Sequence, residues 1–500
     1  MKLSEIKNLL PEAAYYDFPV TNQNNVITDL SYDSRQVKPG HVFIALRGSK
    51  VDGHSFINDA LQRGCLAIIT RKKLELASRV PQIVVSDTRK TLAFLSHHFY
   101  DKPSHKLKVI SITGTNGKTT TAYLIKSILE AAGRKTGLLG TIKYELGPRV
   151  IAAPITTPES LDLQKYLAEM VQCGMEYAVI EASSHSLVQK RVYQTRFVAG
   201  VLTNVARDHL DYHTTMKIYR KAKAILFRNL EPDAQAILNK DDRAGHYYAK
   251  LTPAHINWYS LCSRSNGKPC YFGQIREMSL RGMKLIINTP SGPLNIKSQL
   301  TGQYNAYNIL AAVSTTLALG IDPAAVIQGV EALKEVRGRL EPVEVGQDYK
   351  IIVDFAHTDG ALKNLLINIK NILRTESRGQ APKGRIILVF GCGGDRDIGK
   401  RPLMGEAAGR YADIFVITSD NPRSEDPLKI IADIKKGIKR RNSYYVQPDR
   451  YEAIKQALAL ARANDVVLIA GKGHETYQIF KDTVKPFDDR EVVREILGHK

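Results

Sequence analysis

The sequence predicts an α/β fold in three domains, over residues 1–105, 106–340 and 341–500. Three observations predict it. At 500 residues the chain is too long for one hydrophobic core, and several domains are the ordinary outcome. From about residue 106, short apolar strands alternate with helix-length amphipathic segments, the pattern of a parallel sheet covered by helices. That series breaks at Gly338-Arg339-Leu340-Glu341 and then starts again.

In chain order, residues 1–105 hold short β-like segments, such as 42–46 and Ala67–Thr70, with a helix over 55–63. The apolar run 107–113 reads as a buried strand. Residues 119–132 follow with Leu124, Ile125, Ile128, Leu129 and Ala132 at helical spacing, and Gly133 stops the helix. Segments 177–182 and 198–205 are further strands, so 106–340 is expected to be a parallel-sheet domain. The second series has strands at 350–355, 385–390, 413–418 and Val466–Ala470, separated by helices, which predicts a Rossmann-like C-terminal domain. Neither internal repeats nor low-complexity segments stand out.

Composition narrows the class. With 43% hydrophobic and 24% charged residues, the chain matches an ordinary globular protein. Its longest apolar runs, Ile386–Phe390 and Val466–Ala470, are far short of the ~20 residues of a membrane span, so no membrane insertion is expected. The start, MKLSEIKNLLPEA, mixes charges among its apolar positions, unlike a signal peptide. Cys65, Cys173, Cys262, Cys270 and Cys392 form no CxxC pair, which argues against a disulfide framework or a zinc ribbon and favours the cytoplasm. A net charge of +21 would suit a polyanion, but the basic residues are spread along the chain without a nucleic-acid-binding motif. Nucleic acid is therefore not expected as a partner.

Gly114-Thr115-Asn116-Gly117-Lys118-Thr119 lies directly after a strand and opens a helix. There the glycines let backbone N–H groups face phosphate oxygens, Lys118 adds a cation at the terminal phosphates, Thr119 can hold Mg²⁺, and the helix dipole favours an anion. The context predicts a P-loop-type ATPase for the central domain. Ile112 stands where the common eight-residue signature has glycine.

The run Gly114-Thr115-Asn116-Gly117-Lys118-Thr119-Thr120-Thr121 resembles the loop of the Mur ligases of peptidoglycan synthesis and of folylpolyglutamate synthetases. These enzymes form amides through an acyl-phosphate. The resemblance implies ATP and Mg²⁺ as cofactors, a cytoplasmic location and a monomer. It implies metal-site roles for Thr119, Glu181 and His209, the latter two at the ends of expected strands. The segment from Asp208 to Phe227 resembles the family stretch whose lysine becomes a carbamate, which by position is Lys223. Carbamylation needs a neutral amine, and the neighbouring Arg220 and Lys221 are the expected cause of a lowered pKa. Gly302-Gln303-Tyr304-Asn305-Ala306-Tyr307-Asn308 resembles the adenine-side motif, pointing to Asn305 and Asn308. Arg339 and Asp354 correspond to further ATP contacts. This chain has Phe355 and Asp359 where the family usually has tyrosine and proline.

Other motifs place the chain within the family. Tyr32-Asp33-Ser34-Arg35 with Asp52-Gly53-His54 resembles the uridine-binding domain, so Tyr32 and Ser34 are expected to touch the uridine nucleotide. Thr156-Thr157-Pro158-Glu159 and the run from Ser183 to Arg191 resemble members that add the third residue of the peptide stem. Thr156, Thr157, Ser183, Gln189 and Arg191 would then bind the UDP-MurNAc-dipeptide; Ser186 replaces the usual Gly or Ala. In the C-terminal domain, expected to bind the amino acid, Gly391 to Pro402 includes Arg396, followed by Asp420-Asn421-Pro422-Arg423 and Gly471-Lys472-Gly473-His474-Glu475. The Asp-Asn-Pro-Arg motif resembles members that take meso-diaminopimelate, whose second carboxylate an arginine can grip in bidentate fashion. Arg396, Asp420, Asn421, Arg423, Gly471 and Glu475 are the expected amine-site residues. The same reaction with L-lysine, the D-Ala-D-Ala-adding reaction and a non-catalytic nucleotide-binding regulator are the rival readings.

Overall fold

The computed structural model describes residues 1–17, 24–48, 51–76, 80–262, 270–376, 384–439 and 443–498. The chain divides into two compact units. The first comprises Met1–Ser111, Arg134–Ala199 and Asn229–Ala234; the second comprises Ile112–Gly133, Gly200–Arg228 and Gln235–Lys500.

In the first unit, five short strands form a sheet in the order Ala14–Tyr16, Gln82–Val84, Ala67–Thr70, His41–Ile44, Asp29–Ser31. It is parallel except for the antiparallel edge pair of Ala14–Tyr16 with Gln82–Val84. Val42, Ile44, Ala67, Ile69 and Ile83 bury one face against Leu92 and Leu95 of the helix Thr88–Phe99. Asp87 caps that helix by accepting from Lys90 N–H. The predicted helix over 55–63 forms as a 3₁₀ turn, Gly53–Phe56, running into the α-helix Ile57–Gln62. The unit also contains the parallel pair Thr136–Leu139 and Tyr177–Glu181, continued by the antiparallel strands Lys143–Glu145 and Val150–Ala152. All five residues of Tyr177–Glu181 are buried, the signature of a strand covered on both faces.

In the second unit, the strands Gln235–Asn239, His255–Ser260 and the start of Cys270–Ser279 run parallel. An antiparallel ribbon, Cys270–Ser279, Gly282–Thr289 and Gly292–Ser298, extends them. This sheet of the second unit is therefore mixed, its parallel strands continued by an antiparallel ribbon. The C-terminal sheet has the order Glu341–Pro342, Lys350–Asp354, Val466–Ala470, Ile386–Phe390, Ile414–Ile417, Ser443–Val446, parallel but for its first strand. Its two faces bury separate clusters, one around Leu388, Phe390, Phe415 and Leu468, the other around Val389, Ile454, Val467 and Ile469. Strand alternation sends successive side chains to opposite faces, so each central strand feeds both clusters. The Rossmann-like expectation for this region holds.

Candidate functional site

The phosphate loop follows the strand Lys108–Thr113 and opens the helix Lys118–Ala131. Gly117 caps that helix at φ +85°, where any side chain would be strained and would strike the Asn308 amide. A Cβ at Gly114 would collide with the Thr203 hydroxyl. The loop is held by the segment after Ala199–Leu202. Thr115 N–H donates to Asn204 O (2.8 Å), Asn116 N–H to the Asn204 side chain (3.1 Å), and Thr203 Oγ1 to Asn116 O (2.6 Å).

Two lysines converge on this loop. Lys118 Nζ donates to Gly114 O (2.9 Å) and Thr115 O (2.8 Å), and Lys223 Nζ donates to the same Gly114 O (2.6 Å). Lys223 is 1% exposed, whereas Lys217 and Lys221 of the same helix, Met216–Arg228, are exposed. Its pKa is pushed well down, first by burial and then by Lys118, with Asp208 opposing. This corrects the sequence expectation: burial and Lys118 across the loop, not Arg220 and Lys221, lower the pKa of Lys223. Arg220 lies over the Tyr247 ring instead.

His209, at φ +52°, caps the short helix Leu210–His213. Burial brings its pKa down to about 4 against the attraction of Asp208, with Lys118 and Lys223 adding to the fall. Burial would raise the Asp208 carboxyl, but His209, His357, Lys118 and Lys223 together hold it below the ordinary range. Thr119 and Thr120 are buried at the first turn of the helix. Arg339 Nη2 donates to Thr119 Oγ1 (3.4 Å), and its guanidinium lies 4.7 Å from the Phe355 ring centroid. Asp354 is buried and accepts from Leu340 N–H (2.8 Å), and burial raises its pKa against the pull of Arg339. Asn305 and Asn308 lie on the helix Gln303–Ala318, where Asn308 donates to Asn305 Oδ1 (2.9 Å).

In the first unit, Glu181 ends its strand fully buried and accepts from Thr141 N–H and Oγ1, both at 2.9 Å. Around it the structure gathers most of the residues expected to hold the nucleotide dipeptide. The Thr156 hydroxyl lies 3.2 Å from Thr141 Oγ1, which can accept from it, while Thr157 Oγ1 donates to Glu181 O (2.7 Å) and Ser183 N–H to Thr157 Oγ1 (3.2 Å). Arg191 donates to Thr157 O (2.9 Å) and to Gln189 Oε1 (2.7 Å). Sequence reasoning missed Arg89 and Glu159, which form an ion pair at 3.0 Å beside Arg191, and Asp162, which accepts from Tyr32 OH (2.6 Å). No local pattern marks these pairs, because their members lie 70 and 130 residues apart. Ser34 is buried at the start of the 3₁₀ turn Ser34–Gln36.

The C-terminal loops bring Asp420, Asn421, Arg423, Gly471 and Glu475 together. Asn421 Nδ2 donates to Glu475 Oε2 (2.9 Å), and Asn421 Oδ1 accepts from Lys472 Nζ (3.2 Å) and Ile479 N–H (3.0 Å). Lys472, missed in the sequence, is fully buried and also meets Glu475 Oε2 at 3.2 Å. The Glu475 pKa is raised by burial and by Asp420, with Lys472 opposing. Arg423, at φ +54°, donates to Gly394 O (2.7 Å), and burial and Arg396 lower its pKa. Arg396 itself is exposed. A Cβ at Gly471 would lie 2.6 Å from Asp420 Oδ2, so the two loops meet there.

Comparison with known proteins gives the same arrangement a lineage. Three family models match: the Mur ligase middle domain over 112–316, the Mur ligase glutamate ligase domain over 338–473, and the Mur ligase catalytic domain over 26–100. A UDP-N-acetylmuramoyl-L-alanyl-D-glutamate–2,6-diaminopimelate ligase of Geobacillus thermodenitrificans is 44% identical over 478 residues, covering 94% of this chain and 95% of the relative. The Syntrophomonas wolfei enzyme of that name is 41% identical and covers both chains completely.

The chain belongs to the Mur ligase family.

A solved structure of a ligase of the same name aligns at TM-score 0.68 and 32% identity, over 99% of this chain and 98% of that one. A Thermotoga maritima MurF ligase in complex with ADP aligns at TM-score 0.62 and 18% identity, over 94% and 97%, a likeness of fold alone. Like its family, this Mur ligase is ATP-dependent.

The departures from the Mur ligase pattern have local explanations. Ile112 is a fully buried strand residue, so the loop begins only at Gly114. Phe355 keeps an aromatic platform, with His357 and His474 rings at 4.4 and 4.8 Å. Asp359 is the first residue of the helix Asp359–Glu376, where an acidic side chain suits the dipole as proline suits the fixed φ. The Ser186 hydroxyl is absorbed by the preceding cap, donating to Ser183 O (2.7 Å).

Proposed function

We propose that this Mur ligase adds meso-diaminopimelate to the D-Glu γ-carboxylate of UDP-N-acetylmuramoyl-L-Ala-D-Glu, with ATP consumed through an acyl-phosphate, as a step of peptidoglycan precursor synthesis. The single observation that carries this reading is the full-length likeness to ligases whose names state both donor and amine. The pocket supports it: Arg423 and Glu475 offer opposite charges to the carboxylate and ammonium of a second amino-acid head.

The chemistry follows from the side chains. The D-Glu carboxylate attacks the γ-phosphorus of ATP and ADP leaves, while Lys118 stabilises the charge on the transferring group. The deprotonated amine then attacks the acyl carbon, and the tetrahedral intermediate expels phosphate to leave the amide. No protein nucleophile is needed, since positioning and fixed charge supply the rate. Gly114, Thr115, Asn116, Gly117, Lys118, Thr119 and Thr120 are the proposed phosphate ligands, with Asn305, Asn308, Arg339 and Asp354 serving the rest of ATP. Tyr32, Ser34, Thr156, Thr157, Ser183, Gln189 and Arg191 would hold the nucleotide dipeptide. Residues 1–105, 106–340 and 341–500 are proposed as the domains for the uridine nucleotide, ATP and the amino acid.

Mg²⁺ fits the donors proposed for it: a hydroxyl at Thr119, a carboxylate at Glu181 and an imidazole at His209 held neutral at physiological pH. It would neutralise phosphate charge when bound. Lys223 is proposed to be carbamylated. Its neutral amine adds CO₂ and releases a proton, turning a buried amine into an anionic oxygen donor. A carbamate signal from ¹³C-labelled bicarbonate, absent in Lys223→Met, is the expected result.

We also propose a cytoplasmic monomer with small-molecule substrates and no nucleic-acid partner. Among the described residues, no helix is long and apolar enough to cross a membrane. Phosphate release from ATP and the nucleotide dipeptide, with meso-diaminopimelate, L-lysine or D-Ala-D-Ala supplied in turn, tests the reaction. Release with meso-diaminopimelate alone is expected; no release with any amine would refute the reading.

A further inference from the structure

The strands Ile414–Ile417 and Val466–Ala470 lead into the two loops of the amine pocket, and a single guanidinium is tied to both. Arg450, the first residue of the helix Arg450–Leu460, has no exposed side-chain surface. Its Nη1 donates to Ser419 O (3.4 Å), one residue before Asp420. Its Nη2 donates to Ala470 O (3.2 Å), one residue before Gly471. Nε and Nη2 also grip the two oxygens of Asp489 at 2.7 and 2.8 Å, and that carboxylate is equally buried. Ser419 is held from a further side, its hydroxyl donating to Pro448 O (2.7 Å).

A planar guanidinium can serve two carbonyls and a carboxylate at once, because its donors diverge in a fixed fork. A lysine ammonium has three donors but no such span. The carbonyls chosen are the last of the strand Val466–Ala470 and one two residues past the strand Ile414–Ile417, so the fork spans the gap across which Asp420 and Gly471 meet. Burial alone would lower the guanidinium pKa, but Asp489, Asp420 and Glu475 raise it, so its charge also reaches the pocket carboxylates.

We infer that Arg450 is a positioning residue for the amine substrate: it fixes the spacing of the Asp420–Arg423 and Gly471–Glu475 loops, and through them selectivity for the second amino-acid head, without touching the substrate. The inference rests on the proposed use of diaminopimelate, which the wild-type assay above tests separately. Failure of the wild type with every amine sinks that reading; normal wild-type activity leaves Arg450 to be judged on its own variants.

The test measures KM for each substrate in Arg450→Lys and in the double variant Arg450→Met/Asp489→Leu. Replacing a buried ion pair with apolar side chains of similar volume commonly preserves a fold, so the double variant removes the fork without leaving a lone buried charge. In both, KM for meso-diaminopimelate should rise on the order of 10- to 100-fold, the usual scale for displacement of a positioned group by about an ångström. KM for ATP and for the nucleotide dipeptide should stay at wild-type values. A lower melting temperature with an unchanged diaminopimelate KM would overturn the inference. So would failure of both variants to fold, which would assign the pair to stability.

Discussion

The phosphate loop and the amine pocket both lie beyond the carboxyl ends of parallel strands, but they treat charge in opposite ways. At the loop, Lys118 and Lys223 donate to one backbone carbonyl, Gly114 O, and both disfavour a positive charge on His209 while favouring the negative charge of Asp208. In the pocket, Lys472 meets a carboxylate, Glu475, and both are tied to the two ends of the Asn421 amide. The first holds Lys118 and Arg339 beside the loop, cations suited to the several negative charges of the phosphate ligand proposed for it. The second is close to balanced, as the zwitterion proposed for it requires. A polyanion can be attracted by net charge, whereas a zwitterion can be recognised only by the placement of both signs. Specificity therefore depends on loop spacing in the pocket far more than at the phosphates.

The largest effect should come from the loop. Lys118→Ala should lower kcat by about 10²–10³-fold, the scale for losing one preorganised charge-stabilising donor, with KM for diaminopimelate unchanged. Phosphate release at saturating substrates measures it. Arg423→Ala should act in the reverse sense, costing about 2 kcal/mol or more in kcat/KM for diaminopimelate while leaving KM for ATP alone.

A smaller effect concerns pH. Glu475 must be ionised to accept an ammonium, and burial and Asp420 already hold its pKa above the ordinary carboxylate value. As pH falls through that raised pKa, kcat/KM for diaminopimelate should fall. Lys472 opposes the shift, so Lys472→Met should move this acid limb to higher pH. An acid limb at the wild-type position in the variant would show that Lys472 does not tune the pocket.

The smallest effect is on stability. Asp465 is 3% exposed, and although burial would raise its pKa, Arg385 and the backbone donors hold it below the ordinary carboxylate value. Its folded pKa is lower than its unfolded one, so its contribution is fully present above the unfolded value and lost as pH falls through the folded value. Asp465→Asn should therefore be less stable than wild type at neutral pH and lose less stability on acidification. Melting temperatures from neutral pH into the acid range measure both.

Parts of both regions were legible in the sequence because they are local. The loop glycines, Lys118 and the helix that follows announce themselves, and the bounds of Ala67–Thr70 and Val466–Ala470 match the predicted strands. The antiparallel ribbon was not foreseen, although Met283, Leu285 and Ile287 alternate inward as a half-buried strand should. Buried cations are harder to see, yet two carried a signal. Lys223 shares a helical stripe with buried Tyr219, Ala222, Leu226 and Phe227, and Arg450 shares one with Ala453, Ile454, Ala457 and Leu458. A basic residue on an apolar stripe is either buried with a partner or out of place. Lys472 sits in a loop and has no periodicity to betray it. Tyr32 with Asp162 and Arg89 with Glu159 join distant segments, which only the fold brings together.

The central claim is that the loop activates the carboxylate and the pocket only selects the amine. Hydroxylamine tests it most directly, since it is small enough to attack the acyl-phosphate without using the pocket. With ATP and the nucleotide dipeptide, Arg423→Ala should form the hydroxamate at the wild-type rate while transfer to diaminopimelate collapses, and Lys118→Ala should form neither. Equal loss of hydroxamate and diaminopimelate product in Arg423→Ala would contradict the account.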